Sequence, residues 1–552
     1  MHSLNSSMEH WSAMSERQSI TVRRRLRIGG QVLCAALLGA AMAGCGSDGA
    51  KAPEAGSPGG NPPGEPLPPG IARTSAGLVR GDVGEIVSFK GIPYARPPVG
   101  DLRWRPPADA EPWEGVRDAL AFGPACIQAG SRVQSEDCLT LNVWVPRESL
   151  DRGEKLPVLV WVYGGSFVGG SGDFEAEGLA RKGAVVVSMN YRVSTMGFMA
   201  HPGLSAESPE GTSGNYGLLD IAQSLKWVRK NIANFGGDAG RVTVWGQSSG
   251  ASAITALMVS PRSDGLFDQV ILDSPGAMRH WKTLAEAEQD GIAIGSDIGQ
   301  LRKLPADQVP VIQNTGGGTA VRALAEPRVI GPVLDGVVLP LEERPAFERG
   351  QARAVPVLVG YNTDEGASFT GGYQIRTVDA YRAYLKDPKI FAEFGDEAFS
   401  YYPVSSDSEV QRAISDSFGD NQFVFGTRGI ARAMAAQGQP VYRYWFRRKG
   451  NGGTGADAVH GAELPYVRAD ARLDAAPYTA DDVKLSRMMN DAWFRFVSTG
   501  DPNGGEVTNW PRYDTRSEPV YVFDAATEIV NGPRNDRLDF IGRVDAALNP
   551  VP

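Results

Sequence analysis

Val242-Thr243-Val244-Trp245-Gly246-Gln247-Ser248-Ser249-Gly250 is the stretch on which the fold turns. Val242 to Trp245 are β-branched or aromatic, the residues that suit a short strand. Two glycines then bracket a serine, and the apolar run Ala251 to Val259 follows. A Gly-x-Ser-x-Gly set between a strand and a helix is the setting of a nucleophile elbow. Glycine permits the sharp reversal without a side-chain clash. The reversal lifts Ser248 to the start of a helix, where backbone N–H groups point outward. No other Gly-x-Ser-x-Gly occurs in the chain.

Outward from this turn, Val158 to Tyr163, Ala184 to Met189, Val270 to Leu272 and Pro356 to Gly360 are further apolar runs. Runs of this kind are what strands buried on both faces look like. Leu218, Ala222, Leu225, Val228 and Ile232 recur at helical spacing and predict a helix over about 218–234. Strands alternating with helices argue for an α/β fold, a mostly parallel central sheet with helices on both faces. Residues 277–330 and 366–440 are richer in helical patterns and read as helical insertions over one edge of the sheet, above the site. There is no internal repeat.

A serine hydroxyl needs a base to become a nucleophile, and histidine suits that task near neutral pH. Of the five histidines, His2 and His10 fall in the leader, leaving His201, His280 and His460. His201 precedes Pro202 and reads as a loop residue. The α/β-hydrolase order of serine, acid, then histidine points to His460.

The resemblance to a known family becomes specific here. Phe235-Gly236-Gly237, four residues, then Val242 to Gly250 resembles the serine signature of type-B carboxylesterases. Glu136-Asp137-Cys138-Leu139-Thr140-Leu141-Asn142-Val143-Trp144-Val145-Pro146 resembles that family's second signature. Phe89 to Ala95, Asn190-Tyr191-Arg192, Asn215 to Leu218, Gly500-Asp501-Pro502-Asn503 and Trp510-Pro511 are similar to further family landmarks. The likeness runs over about residues 71–545. The chain is thereby identified as a bacterial, para-nitrobenzyl-esterase-like member of that family, in the α/β-hydrolase superfamily.

The resemblance implies a serine hydrolase that cleaves carboxylic esters through an acyl-enzyme. Ser248 is then the nucleophile and His460, in His460-Gly461-Ala462-Glu463, the base. The acid of the family's turn falls on Glu365 in Gly360 to Gly366, with Asp364 its adjacent competitor. Trp161 to Phe167 resembles the strand end of the family's oxyanion hole, which implies the N–H groups of Gly165, Ser166 and Ser249 as donors. Tyr163 stands where many esterases have His, and Ser166 where Gly or Ala is usual. Gln247, Ser274 and Glu463 match positions of a buried polar network behind the triad. Gln247 replaces the usual Glu, which weakens any preference for cationic substrates. Two other readings share the fold: a non-catalytic adhesion module, and an acyltransferase using the same three residues. Cholinesterases carry a much longer loop than the eleven residues between Cys126 and Cys138.

The N-terminus reads as a targeting segment. Arg23, Arg24, Arg25 and Arg27 precede an apolar stretch from Val32 to Ala43, and small residues lead to Cys45. That is a signal-peptide layout, too short for a membrane span. Met42-Ala43-Gly44-Cys45 resembles a lipoprotein box, so residues 1–44 are expected to be removed and Cys45 to carry lipid. Residues 45–70, dense in Gly and Pro with almost nothing apolar, cannot bury enough surface to fold and read as a disordered linker. Residues 71–552 are the catalytic body. With Cys34 in the leader and Cys45 lipidated, Cys126 and Cys138 remain, and export predicts a disulfide between them. The net charge of −9 and the lack of a basic patch in the body speak against a nucleic-acid partner. The partners expected are a small-molecule ester and, through Cys45 only, a membrane. No ligand pattern calls for a metal, and Gly450 to Gly455 lacks the βαβ context of a dinucleotide site, so no cofactor is expected.

Overall fold

The computed structural model describes residues 67–130, 132–174, 176–312 and 330–548. The leader, Cys45 and most of the Gly/Pro-rich linker lie outside these residues. Among the described residues, eleven strands form one mixed sheet: β1 (Asp82–Val83), β2 (Ile86–Pro93), β3 (Thr140–Pro146), β4 (Leu156–Val162), β5 (Val185–Met189), β6 (Gly237–Gln247), β7 (Gln269–Asp273), β8 (Val357–Asn362), β9 (Val441–Phe446), β10 (Pro519–Phe523) and β11 (Glu528–Asn531). Their order is β11-β10-β9-β8-β7-β6-β4-β5-β3-β2-β1. From β5 through β10 the neighbours run parallel. The pairs that add β3, β2 and β1 at one edge and β11 at the other are antiparallel. This is the α/β-hydrolase fold.

Every strand expected from an apolar run is present. Val158, Val160, Val185, Val187, Val244 and Val270 are fully buried at the centre of the sheet. Each such side chain stabilises the fold by about 1.5–3 kcal/mol relative to exposure. β6 starts earlier than its apolar residues do. Gly237 pairs with Leu156 of β4 across a register shift, so pairing rather than propensity makes Gly237 to Arg241 a strand. The expected helix spans Tyr216–Asn231 and tightens into a 3-10 turn, Ile232–Phe235. It stops at Gly236, whose φ of 78° is left-handed.

Among the described residues, both insertions carry helices. Leu284–Ile294 and Ile298–Lys303 lie in the first, Val378–Leu385, Gly395–Tyr401, Val410–Gly419 and Phe425–Ala436 in the second. A π-turn, Asp420–Val424, joins the last two. The second insertion builds its own apolar core with the C-terminal helix Asn535–Leu548, in which Tyr381, Leu385 and Ile414 pack with Leu538, Phe540 and Ile541. The Cys126–Cys138 disulfide forms, with both cysteines buried. Closing a loop of that length stabilises by roughly 3 kcal/mol in the chain-entropy view. No helix among the described residues is long and apolar enough to cross a membrane.

Candidate active site

β6 ends at Gln247, and the helix Ser249–Met258 begins two residues later. Ser248 bridges them with φ 57° and ψ −128°, a backbone that L-residues rarely adopt. The reversal is enforced from both flanks. A Cβ on Gly246 would lie 2.6 Å from the Gly250 carbonyl carbon, and one on Gly250 would lie 2.2 Å from the Val162 carbonyl oxygen. The Ser248 side chain does not cap the helix. Its backbone N–H is held by the Asp273 carbonyl at 2.9 Å.

β8 ends at Asn362 and delivers Glu365 three residues on. Glu365 is buried, and each of its oxygens has work. Oε1 accepts from Ser274 Oγ and from the Asn362 backbone N–H, both at 2.6 Å. Oε2 lies 2.5 Å from His460 Nδ1. Asp364, the adjacent competitor, turns elsewhere. It accepts from Ser415 Oγ and lies 3.6 Å from the Arg412 guanidinium. Of the two acids, Glu365 is the one that meets His460. His201 and His280 are engaged with other groups. His201 caps the helix Pro202–Glu207, its Nδ1 accepting from Gly203 N–H at 3.0 Å, and His280 stands between Glu342 and Asp545.

The far nitrogen of His460 has a different neighbour. Gln247 Nε2 lies 3.0 Å from His460 Nε2. Among the described residues, no hydrogen bond joins Ser248 Oγ to His460. Phe423 of the π-turn lies against the imidazole at 4.4 Å between ring centroids, and Phe369 meets it edge-on at 5.2 Å.

Behind Glu365 sit two more buried carboxyls. Asp273 accepts from Tyr444 Oη at 2.8 Å and from Trp245 Nε1 at 2.6 Å. Glu463 Oε2 accepts from Asn362 Nδ2 at 2.5 Å. Glu463 Oε1 and Asn362 Oδ1 are buried without a hydrogen-bond partner among the described residues. Burial, then the charge on Glu365, pushes the Glu463 carboxyl up to about 7. Burial, then the neighbouring Glu463, raises Asp273 well above the usual carboxylate range. Three acids this close cannot all ionise in a low dielectric. Burial favours the protonated form at Asp273 and Glu463, while Glu365 receives two donors and lies against the imidazole.

The segment facing the elbow is the end of β4. Gly165, Ser166 and Phe167 have φ of 127°, 57° and 63°, three consecutive residues on the positive side. Phe167 N–H donates to Ser249 Oγ at 3.2 Å and ties this segment to the helix that follows Ser248. Tyr163 and Tyr191 stack at 4.3 Å, and each hydroxyl donates to the other's carbonyl, at 2.7 and 2.8 Å. Tyr163 is thus a fixed strut under the loop. The sequence did not single out Asp273, Asn362, Tyr444, Phe369 or Phe423. Asp273 had a signal, a charged residue directly after the apolar run Val270 to Leu272, at the carboxyl end of a strand where α/β folds place their ligands. The two phenylalanines had none, because their contact with His460 exists only in the folded chain.

A model of the carboxylesterase family matches residues 69–541. The chain belongs to the carboxylesterase family. Fumonisin B1 esterase of Sphingopyxis macrogoltabida is 45% identical to this carboxylesterase over 470 residues, covering 81% of this chain and 85% of that one. Para-nitrobenzyl esterase of Bacillus subtilis is 33% identical over 496 residues, covering 85% and 97%. Among solved structures, a PNB esterase superimposes with a TM-score of 0.73 at 31% identity, covering 85% of this chain and 99% of that one. This carboxylesterase is a carboxylic ester hydrolase.

Proposed function

We propose that ester cleavage runs through an acyl-enzyme on Ser248. His460 takes the serine proton at Nε2 and returns it to the leaving alcohol. Glu365 holds the imidazole by Nδ1 and stabilises its cation. The N–H groups of Gly165, Ser166 and Ser249 receive the charge that develops on the carbonyl oxygen. Water then attacks the acyl-enzyme by the same route in reverse. The observation that carries this reading is the 2.5 Å contact between His460 Nδ1 and a buried Glu365, beside a serine held in an elbow backbone. A carboxylate there fixes the tautomer whose Nε2 is a base. The absence of a Ser248–His460 hydrogen bond is compatible with it, since such bonds often tighten only once substrate is bound. The relative named fumonisin B1 esterase makes fumonisin B1 the first natural ester to try.

The test is Ser248→Ala. It should abolish turnover of short p-nitrophenyl esters and labelling by a fluorophosphonate while leaving thermal unfolding unchanged. Full turnover in that variant would overturn the assignment.

The arginine-led leader and the box ending at Cys45 support export and lipid anchorage, with residues 45–70 as a tether. Cys45→Ser should move the mature protein from the membrane fraction to the soluble one. Unchanged partition would refute the anchor.

A further inference from the structure

The nitrogen that the mechanism requires to be free is already engaged. His460 donates its Nδ1 proton to Glu365 at 2.5 Å. Nε2 is then a lone pair, and the group facing it at 3.0 Å must be a donor, the Gln247 side-chain NH2. Gln247 is buried. The two chain segments beside its amide come close. A Cβ on Gly164 would lie 3.1 Å from Gln247 Oε1, and one on Gly461 would lie 3.5 Å from Gln247 Nε2. Ser248, the next residue along the chain, makes no hydrogen bond to the same imidazole. One lone pair cannot serve both the amide and the serine hydroxyl at full strength.

We propose that Gln247 is a positioning residue that occupies the proton-accepting nitrogen of His460 in the unliganded enzyme and must release it before Ser248 is activated. This rests on the acyl-enzyme reading above and adds to it a resting state. The amide keeps the imidazole in register with Glu365 while the site is empty. Arrival of the ester lets Ser248 Oγ take the place of the amide, and the serine proton then passes to Nε2.

Gln247→Met keeps length and volume but removes the donor. With p-nitrophenyl acetate as substrate and a fluorophosphonate as label, its rate of Ser248 labelling at pH 8 should rise about 2- to 12-fold, the worth of one ordinary hydrogen bond that no longer has to be broken. Gln247→Glu is nearly isosteric and places a carboxylate at Nε2. It favours the imidazolium, so the acid limb of kcat/KM should move toward higher pH by about one unit or more. A purely structural role for Gln247 would lower the melting temperature and leave both readouts where they are. Slower labelling of a stably folded Gln247→Met, or an acid limb unmoved in Gln247→Glu, overturns the proposal. If Gln247→Met fails to fold, the acid limb of Gln247→Glu decides alone. Failure of the acyl-enzyme reading is distinguishable, because the unaltered enzyme itself would then take no label at Ser248.

Discussion

On the Nδ1 side of His460 stand Glu365, Ser274 and Asn362, with Glu463 and Asp273 behind them, all buried. On the other side stands Gln247, and over the ring lie Phe423 and Phe369. The first region is dense in carboxyls and fixed by short hydrogen bonds between strand ends. The second is neutral, aromatic, and drawn from a strand terminus, a π-turn and an insertion helix. The difference separates two tasks. Behind the ring, the proposed mechanism needs a carboxyl that keeps its place for the whole reaction. In front of it, the proposed mechanism has a proton move, and the Gln247 amide adds no charge there.

The comparison breaks most sharply at Glu365. In Glu365→Gln the oxygen that accepts from Ser274 and Asn362 has to remain an oxygen, so the new NH2 faces Nδ1. The imidazole then carries its proton on Nε2 and is no base toward Ser248. The expected loss in kcat is about 10⁴-fold, with the fold intact. A loss under tenfold in steady-state kinetics would mean that the carboxyl-rich side does not set the tautomer.

Glu463 tests the same side through stability. Its carboxyl is pushed up to about 7 by burial and by Glu365. Between the usual Glu value near 4.5 and about 7, the folded chain keeps a proton that the unfolded chain gives up. Stability from this group is therefore full below that window and is lost as pH rises through it. Glu463→Gln cannot ionise and escapes the loss. Denaturant unfolding at pH 5 and pH 8 should show a smaller fall for the variant, by at most about 3 kcal/mol. Identical falls would mean that Glu463 is already charged in the native protein at pH 5.

The smallest effect belongs to the aromatic side. Phe423 presents its ring to the imidazole that the proposed mechanism makes cationic in the transition state. Phe423→Leu keeps the apolar wall and removes the π face. A loss of about 2- to 30-fold in kcat, with KM nearly unchanged, is the range expected for a cation–π contact. A change confined to KM would instead make Phe423 a wall of the substrate pocket.

The two regions also differ in how far they could be read from the sequence. Ser248, Glu365 and His460 stand in local motifs, and the five apolar runs around them are strands of the sheet. Ser274 and Glu463 came from motif positions, and both take part in the buried network. Gln247 was singled out for the charge it lacks, whereas its contact with His460 spans 213 residues of chain and appears only on folding. The π-turn Asp420–Val424 leaves no trace in hydrophobic spacing, because one extra residue per turn blurs a 3.6-residue period without replacing it. The antiparallel strands β1, β2, β3 and β11 were likewise not foreseen, their role at the sheet edges being set by neighbours rather than by their own residues.

The elbow has a consequence for anyone who would retune this enzyme. Gly246 and Gly250 are walled in by main chain, and Ser248 holds a backbone that resists most replacements, so these positions have almost no tolerated neighbours in sequence space. The aromatic cover of His460 is different, because Phe369 and Phe423 hang from insertion elements with a core of their own. Altered ester scope should therefore be sought by diversifying the helical insertions, with the strand-to-helix turn left as it stands.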